Sequence, residues 1–275
     1  MLDVCLLAVQ MRCESGKIDE NIARAERLLN DCRDVLMDNR TIICLPELFT
    51  TGYNLSREEF MRISEPVPGP TSDKLCIFAQ EVGAYVYAGL AERVEEAREI
   101  FDSSVLISPS GKLIAKYRKI HLAGEYEKEI FSPGKEVVTA STDIGRLGLM
   151  ICYDVVFPEL SRSLALLGSD IILHCSAWYS IPREMDWGAR HYKTLLNARA
   201  MENTVFIVSS NRVGTEGKFS FVGHSCIASP WGEILAEKKG GEGCISAVIN
   251  LEMLKKCRII HPCLQERKPE IYTLK

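Results

Sequence analysis

The sequence contains no CxxC pair and no HxxxH or HExxH pair, so thiol-redox motifs and the common zinc motifs have no place to form. It has no excess of basic charge: 33 Lys and Arg against 37 Asp and Glu give a formal net charge of −4. Nucleic acid is therefore not an expected partner, because such binding rests on clustered basic residues. No apolar run approaches the roughly 20 residues of a membrane span, so membrane association is not expected either. The N-terminal VCLLAVQ is too short for a secretory core and lacks a basic leader, and it reads as a first buried strand. No linker, low-complexity tract or internal boundary divides residues 1–275, which are expected to form one domain. PVPGP and the Glu-rich ERVEEAREI read as its surface loops.

What is present is a chain that is 47% hydrophobic and 25% charged, enough to bury a large core. Its 11 cysteines are scattered and mostly embedded in aliphatic runs, where free cysteine packs as a small hydrophobe. Their odd number, with no disulfide-dense scaffold, points to a reducing, cytoplasmic setting.

Runs rich in Val, Ile and Leu recur between turns: VCLLAVQ, TIICLPEL, AYVYAGLAE, SSVLISP, GLMICYD, DIILHCSAW, TVFIVSSN, HSCIASP and CISAVIN. Each predicts a strand buried on at least one face. Between the first two, Ile22, Ala25, Leu28, Leu29, Cys32 and Leu36 recur at helical spacing, predicting an amphipathic helix over 19–37 with Asp19 as its cap. Further helices are predicted over 71–82, 158–167, 185–202 and 251–256. The Ser-Gly turn in SSVLISPSGKLIAKYRK and the turn in ASPWGEILAE are hairpin signals, which favour mixed sheets over a purely parallel one.

Three segments carry chemistry. Cys152 in GLMICYDVVFPE follows an apolar strand, and strand ends are where α/β enzymes place reactive groups. A cysteine taken alone is usually inert packing. Glu47 in ICLPELFTTGY sits in an apolar run, where desolvation is expected to raise its pKa toward that of a general base; helix capping or an arginine pair is the commoner fate of a lone glutamate. Lys119 in KYRKIHL lies in a basic run that would ordinarily be a solvated edge. Strand alternation nevertheless sends Tyr117, Lys119 and His121 to one face and Lys116, Arg118 and Ile120 to the other. A thiol needs a group to take its proton, and the oxyanion it forms needs a fixed positive group, so the three residues together meet both needs. His174 and Cys175 are adjacent on a strand and face opposite sides, which argues against a shared metal. Arg199 and Glu202, three apart on a helix, read as a structural ion pair.

In order and flanking sequence, LPE with TGY, YRKIHL and CYDVVFPE resemble the carbon-nitrogen hydrolases of the nitrilase superfamily, and the resemblance covers nearly the whole chain. It implies a four-layer αββα sandwich of two mixed β-sheets flanked by helices. It also implies a Glu47, Lys119, Cys152 catalytic set, with the Tyr153 backbone N–H completing the oxyanion hole. Glu127 in EYEKEIFSPG takes the place of a second active-site glutamate, with Glu125 and Glu129 as rivals in what reads as a short acidic loop. Tyr53 and Trp178 are candidate substrate contacts. The aspartate of CYDVVFPE is more like the amidase and carbamoylase branches than the true nitrilases. The implied activity is hydrolysis of a carboxamide or N-carbamoyl compound through a thioester, without metal or cofactor; a nitrilase or a silent scaffold of the same fold is the alternative. A homodimer or larger assembly is implied, with residues 251–275 as a tail that reaches across it or stays local.

Overall fold

The computed structural model describes residues 3–35, 40–180 and 187–272. The chain opens with strand β1 (Asp3–Gln10), helix α1 (Ile18–Asn30) and strand β2 (Thr41–Cys44), then helices α2 (Arg57–Ile63) and α3 (Pro70–Val82). Strands β3 (Tyr85–Val94), β4 (Glu99–Ile107) and β5 (Leu113–Arg118) form a meander, and helix α4 (Gly124–Ile130) leads to β6 (Thr139–Thr142) and β7 (Gly145–Ile151). Next come α5 (Pro158–Leu166), β8 (Ile171–Ser176), β9 (Tyr179–Ser180), α6 (Trp187–Asn203) and β10 (Phe206–Asn211). Strands β11 (Val213–Glu216), β12 (Phe219–Val222), β13 (Ser225–Ala228), β14 (Ile234–Lys238) and β15 (Gly243–Asn250) precede helix α7 (Leu251–Ile260).

The strands make two six-stranded mixed sheets, ordered β15-β1-β2-β3-β4-β5 and β14-β13-β10-β8-β7-β6, and a small sheet β11-β12-β9. Side-chain alternation decides how they stack. Along β1, Val4, Leu6 and Ala8 join Leu147, Leu149, Leu173 and Val208 of the second sheet in the central core. Leu7 and Val9 point the other way, onto Ala25 and Leu29 of α1 and Leu75 and Ala79 of α3. Leu160 and Leu164 of α5 and Leu196 and Ala200 of α6 cover the far face of the second sheet. The architecture is therefore the expected αββα sandwich. Each such Leu or Val stabilises it by roughly 1.5–3 kcal/mol through burial, which is why period-two patterning was a strong signal.

Local details depart from expectation. Helix α1 stops at Asn30, short of Met37, and a brief 3-10 turn follows at Arg33–Val35; residues 36–37 lie outside the described residues. Asp19 does not cap it: Lys17 occupies the cap position without a side-chain bond, and Asp19 sits in the first turn, paired with Lys74 at 3.0 Å. ERVEEAREI is no mere loop, because β3 and β4 run through it in register from Val94↔Glu99. Helix α2 was not anticipated, although Ser56 and Glu59 form a reciprocal capping box. The acidic segment at Glu125–Glu129 is also helical, as α4. Helix α7 runs past Lys256 to Ile260, and α6 begins at Trp187, with residues 185–186 outside the described ones.

Candidate active site

The site gathers at the ends of strands. Glu47 follows β2, Lys119 is the first residue beyond β5, and Cys152 is the first beyond β7. Cys152 has a positive φ of 43°, a conformation disfavoured for any residue with a Cβ, and it opens a 3-10 turn through Val156. Other side chains pin that turn. His174 Nε2 bonds the Cys152 carbonyl at 3.0 Å, and Arg199 donates to the carbonyls of Val155 and Val156, each at 2.9 Å. The Arg199–Glu202 pair expected from sequence is also present, at 3.0 Å. Burial lowers the His174 pKa to about 4, so the ring is neutral. Because a carbonyl only accepts, Nε2 carries the proton, and Nδ1 accepts from Ser209 Oγ at 2.6 Å. Ser209 in turn accepts from the Tyr192 hydroxyl.

Beside Cys152 lies a dry ionic cluster. Lys119 Nζ stands 2.5 Å from Glu47 Oε1, 2.8 Å from Glu127 Oε2 and 3.2 Å from Asp102 Oδ2, and all four side chains are fully buried. The three carboxylates lie close enough together to hold a cation, their oxygens within 4.8 Å of one another, and the Lys119 ammonium supplies it. Alternation separates this cluster from its basic neighbours as expected: Lys116 and Arg118 reach Glu92 instead, at 2.5 and 2.6 Å. The Ala177 N–H donates to Glu47 Oε2 at 2.5 Å. Glu127 accepts from the Tyr53 hydroxyl and the Ala123 N–H, both at 2.7 Å, whereas Glu125 pairs outward with Lys128 and Glu129 lies on the surface.

The electrostatics correct one expectation. Burial does push Glu47 upward, but the Lys119 ammonium and hydrogen bonds involving Asp102, Lys119 and Cys152 outweigh it, so the net shift is downward. Burial pushes Glu127 upward against the pull of Lys119, and pushes the Cys152 thiol far up. Burial alone would discharge Lys119, yet Glu127, Glu47 and Asp102 together hold it charged, well above the ordinary lysine value. The resting site thus pairs an ionised glutamate with a neutral thiol.

A cavity of ≈ 240 Å³ opens onto Cys152 and Glu127, walled by Tyr153, Val156, Trp178, Tyr179 and His191. Trp178, a candidate substrate contact, lines this cavity. Tyr53, the other candidate contact, is not among its lining residues: it is buried among Tyr126, Phe219 and Phe221, with its hydroxyl committed to Glu127. Asp154, in the segment that set the expected branch, accepts from Tyr117 at 2.7 Å and from the Ile151 and His121 N–H groups.

The profile of the carbon-nitrogen hydrolases matches residues 7–259. The chain belongs to the carbon-nitrogen hydrolase family. It is 36% identical to a protein of Pyrococcus abyssi named nitrilase, over 96% of this chain and 97% of that protein. To human omega-amidase NIT2 it is 30% identical, over 98% and 96% respectively. Among solved structures, Saccharomyces cerevisiae Nit3, of branch 10 of the nitrilase superfamily, superposes with a TM-score of 0.85 at 27% identity, over 98% of this chain and 97% of that one. In this carbon-nitrogen hydrolase the residues missed by sequence reading are Asp102 and the His174–Ser209–Tyr192 chain. Asp102 had a usable signal, as the lone charge in the run IFDSSVLI. The relay had none, since its members come from β8, β10 and α6.

Proposed function

We propose that the chain hydrolyses a small linear carboxamide or N-carbamoyl compound, with Cys152 as nucleophile, Glu47 as general base, Lys119 with the Tyr153 N–H as oxyanion hole and Glu127 as the residue that positions Lys119. The observation that carries this reading is the buried ion cluster of Lys119 and Glu47 against a high-pKa thiol at the wall of a cavity. Glu47 takes the thiol proton as Sγ attacks the carbonyl carbon, and the oxygen gains the charge that Lys119 meets. The C–N bond then breaks as protonated Glu47 returns the proton to nitrogen, leaving a thioester on Cys152 and releasing ammonia or an amine. Water, deprotonated by Glu47, attacks the thioester; the thiolate leaves, takes back a proton, and the acid departs. Val156, Trp178 and Tyr179 offer the acyl group an apolar wall.

Ammonia release from carboxamides, ω-amides, N-carbamoyl compounds and nitriles, with wild type and Cys152→Ala compared, tests this. Release from an amide or ureido substrate that Cys152→Ala abolishes is the expected result. Turnover of nitriles alone would replace the reading, and release that survives in Cys152→Ala would refute the assigned nucleophile.

We infer that a second copy of the chain packs on α5, α6 and α7. Leu166, Leu167, Met201, Trp231, Ile259 and Ile260 are exposed there, and Arg258 ties α7 to Asp170 and to the Ser169 and Thr204 carbonyls beneath them. Sedimentation of Ile259→Asp/Ile260→Asp is expected to show monomer where wild type shows dimer. None of the eleven thiols is in a disulfide, which suits a reducing compartment such as the cytoplasm. No helix among the described residues is long and apolar enough to cross a membrane.

A further inference from the structure

Three carboxyl groups surround one ammonium at this site, and their surroundings differ. Glu47 has a donor for each oxygen, Lys119 Nζ on Oε1 and the Ala177 N–H on Oε2. Glu127 is supplied more fully, by Tyr53, Ala123 and Lys119. Asp102, on β4 and 1% exposed, receives no hydrogen bond from an N–H or hydroxyl donor on either oxygen among the described residues; Lys119 Nζ stands 3.2 Å from Oδ2 without the alignment of a bond. Its backbone is held firmly, since its carbonyl accepts the Lys119 N–H at 2.8 Å. The side chain therefore has a fixed position beside Glu47, Lys119 and Glu127, with the Cys175 thiol near it as well.

Three ionised acids around one lysine would leave two uncompensated negative charges in a dry site, an arrangement that relaxes by taking up a proton. The proton belongs on the acid that no donor solvates. We propose that Asp102 is a neutral carboxylic acid in the resting enzyme and donates its proton in a hydrogen bond to Glu47, so that Glu47 is the acid kept ionised. This rests on the reading of Glu47 as general base and makes Asp102 a positioning residue that never touches substrate. Electrostatics agree: burial first, and the Glu47 charge second, push Asp102 far above the usual carboxylate range. The same hydrogen bond is among the influences that lower Glu47. No oxidant, metal or further reactant is needed, and the proton stays on Asp102 through the cycle while Glu47 exchanges its own with sulfur, nitrogen and water.

Infrared difference spectroscopy of wild type against Asp102→Asn, at neutral pH in light and heavy water, tests the protonation directly. The expected result is a carbonyl stretch of a protonated, buried carboxyl in wild type that Asp102→Asn removes. A carboxylate band lost in its place would overturn the proposal. Asparagine keeps the shape and a donor, so Asp102→Asn is expected to retain kcat within about threefold. Asp102→Ala is expected to lose kcat at least tenfold with KM unchanged. The reverse pattern, with Asp102→Asn as damaged as Asp102→Ala, would mark Asp102 as an ionised counter-ion of Lys119 and refute the proposal. If no amide is turned over, so that the catalytic reading fails, the infrared band still decides whether Asp102 holds the proton. The rate of Cys152 alkylation by iodoacetamide then replaces kcat as the readout, with Asp102→Asn again expected to match wild type.

Discussion

Glu92 and Lys119 are mirror-image ion clusters on opposite sides of one sheet. Glu92 is one acid served by two bases, Lys116 and Arg118, whose side chains are about one-third exposed, and by the Ser103 hydroxyl at 2.7 Å. Burial pushes its pKa up, but its bonds to Arg118, Lys116 and Ser103 outweigh that, and it ends below the usual value. Lys119 is one base served by three acids with no exposure at all. The first cluster meets its charges partly with water and has no reason to move a proton. The second holds more acid than base where water cannot help, so protons must be distributed among its members. Surplus of one sign inside a dry site, more than ion pairing as such, separates the chemistry of this sheet from its scaffolding.

Lys119→Met breaks the contrast most severely, because it leaves three acids without their cation. It is expected to abolish turnover and to destabilise the fold by about 3–5 kcal/mol, read from urea unfolding. Next in size is Glu47→Gln, which keeps shape while removing the base: kcat/KM is expected to fall roughly 10²- to 10⁴-fold with the unfolding midpoint little changed. In the same variant, Cys152 alkylation near neutral pH is expected to slow sharply. In wild type Glu47 can accept the proton as the thiol reacts, so alkylation is expected to persist below the free-thiol pKa of about 8.5 even though burial raises the Cys152 pKa.

The pH profile sharpens the same point. The active form has Glu47 ionised and Lys119 charged. Since Glu47 is lowered, the acid limb of kcat/KM is expected below the ordinary glutamate value of about 4.3, with activity and the stability Glu47 contributes both lost as pH falls through the folded value. Lys119 is raised, so its contribution is complete below about 10.4 and fades as pH rises through its folded value. An acid limb near pH 6 would contradict this assignment. Smaller again is His174→Ala, which frees the Cys152 carbonyl and the Ser209 hydroxyl; a loss of about 1–3 kcal/mol in stability, with kcat reduced more than KM, is expected. Glu92→Gln should do least, lowering stability by roughly 1–2 kcal/mol without affecting kcat, and a clear loss of activity there would dissolve the distinction between the two clusters.

Much of this was legible in the chain. The aliphatic strands were, because period-two burial is written locally, and so were Glu47, Lys119 and Cys152, because each lies in a distinctive segment. The direction of the Glu47 shift was not: apolar neighbours in sequence announce desolvation, whereas the opposing influences that together outweigh it come from β4 and from just beyond the ends of β5 and β7, distant in the chain. Helix α4 escaped for a related reason. Its short EYEKE run looks solvated, and only the fold shows Glu127 turned inward while Glu125 and Lys128 pair outside. Tyr53 was misread because an aromatic in a TGY motif does not reveal whether its hydroxyl meets substrate or a second carboxylate.

The left-handed backbone at Cys152 also decides which residue can best replace it. Alanine in that position keeps the Cβ that makes φ = 43° unfavourable, while glycine removes it. Of two equally inactive proteins, Cys152→Gly should therefore melt above Cys152→Ala, by an amount on the order of 1 kcal/mol in stability.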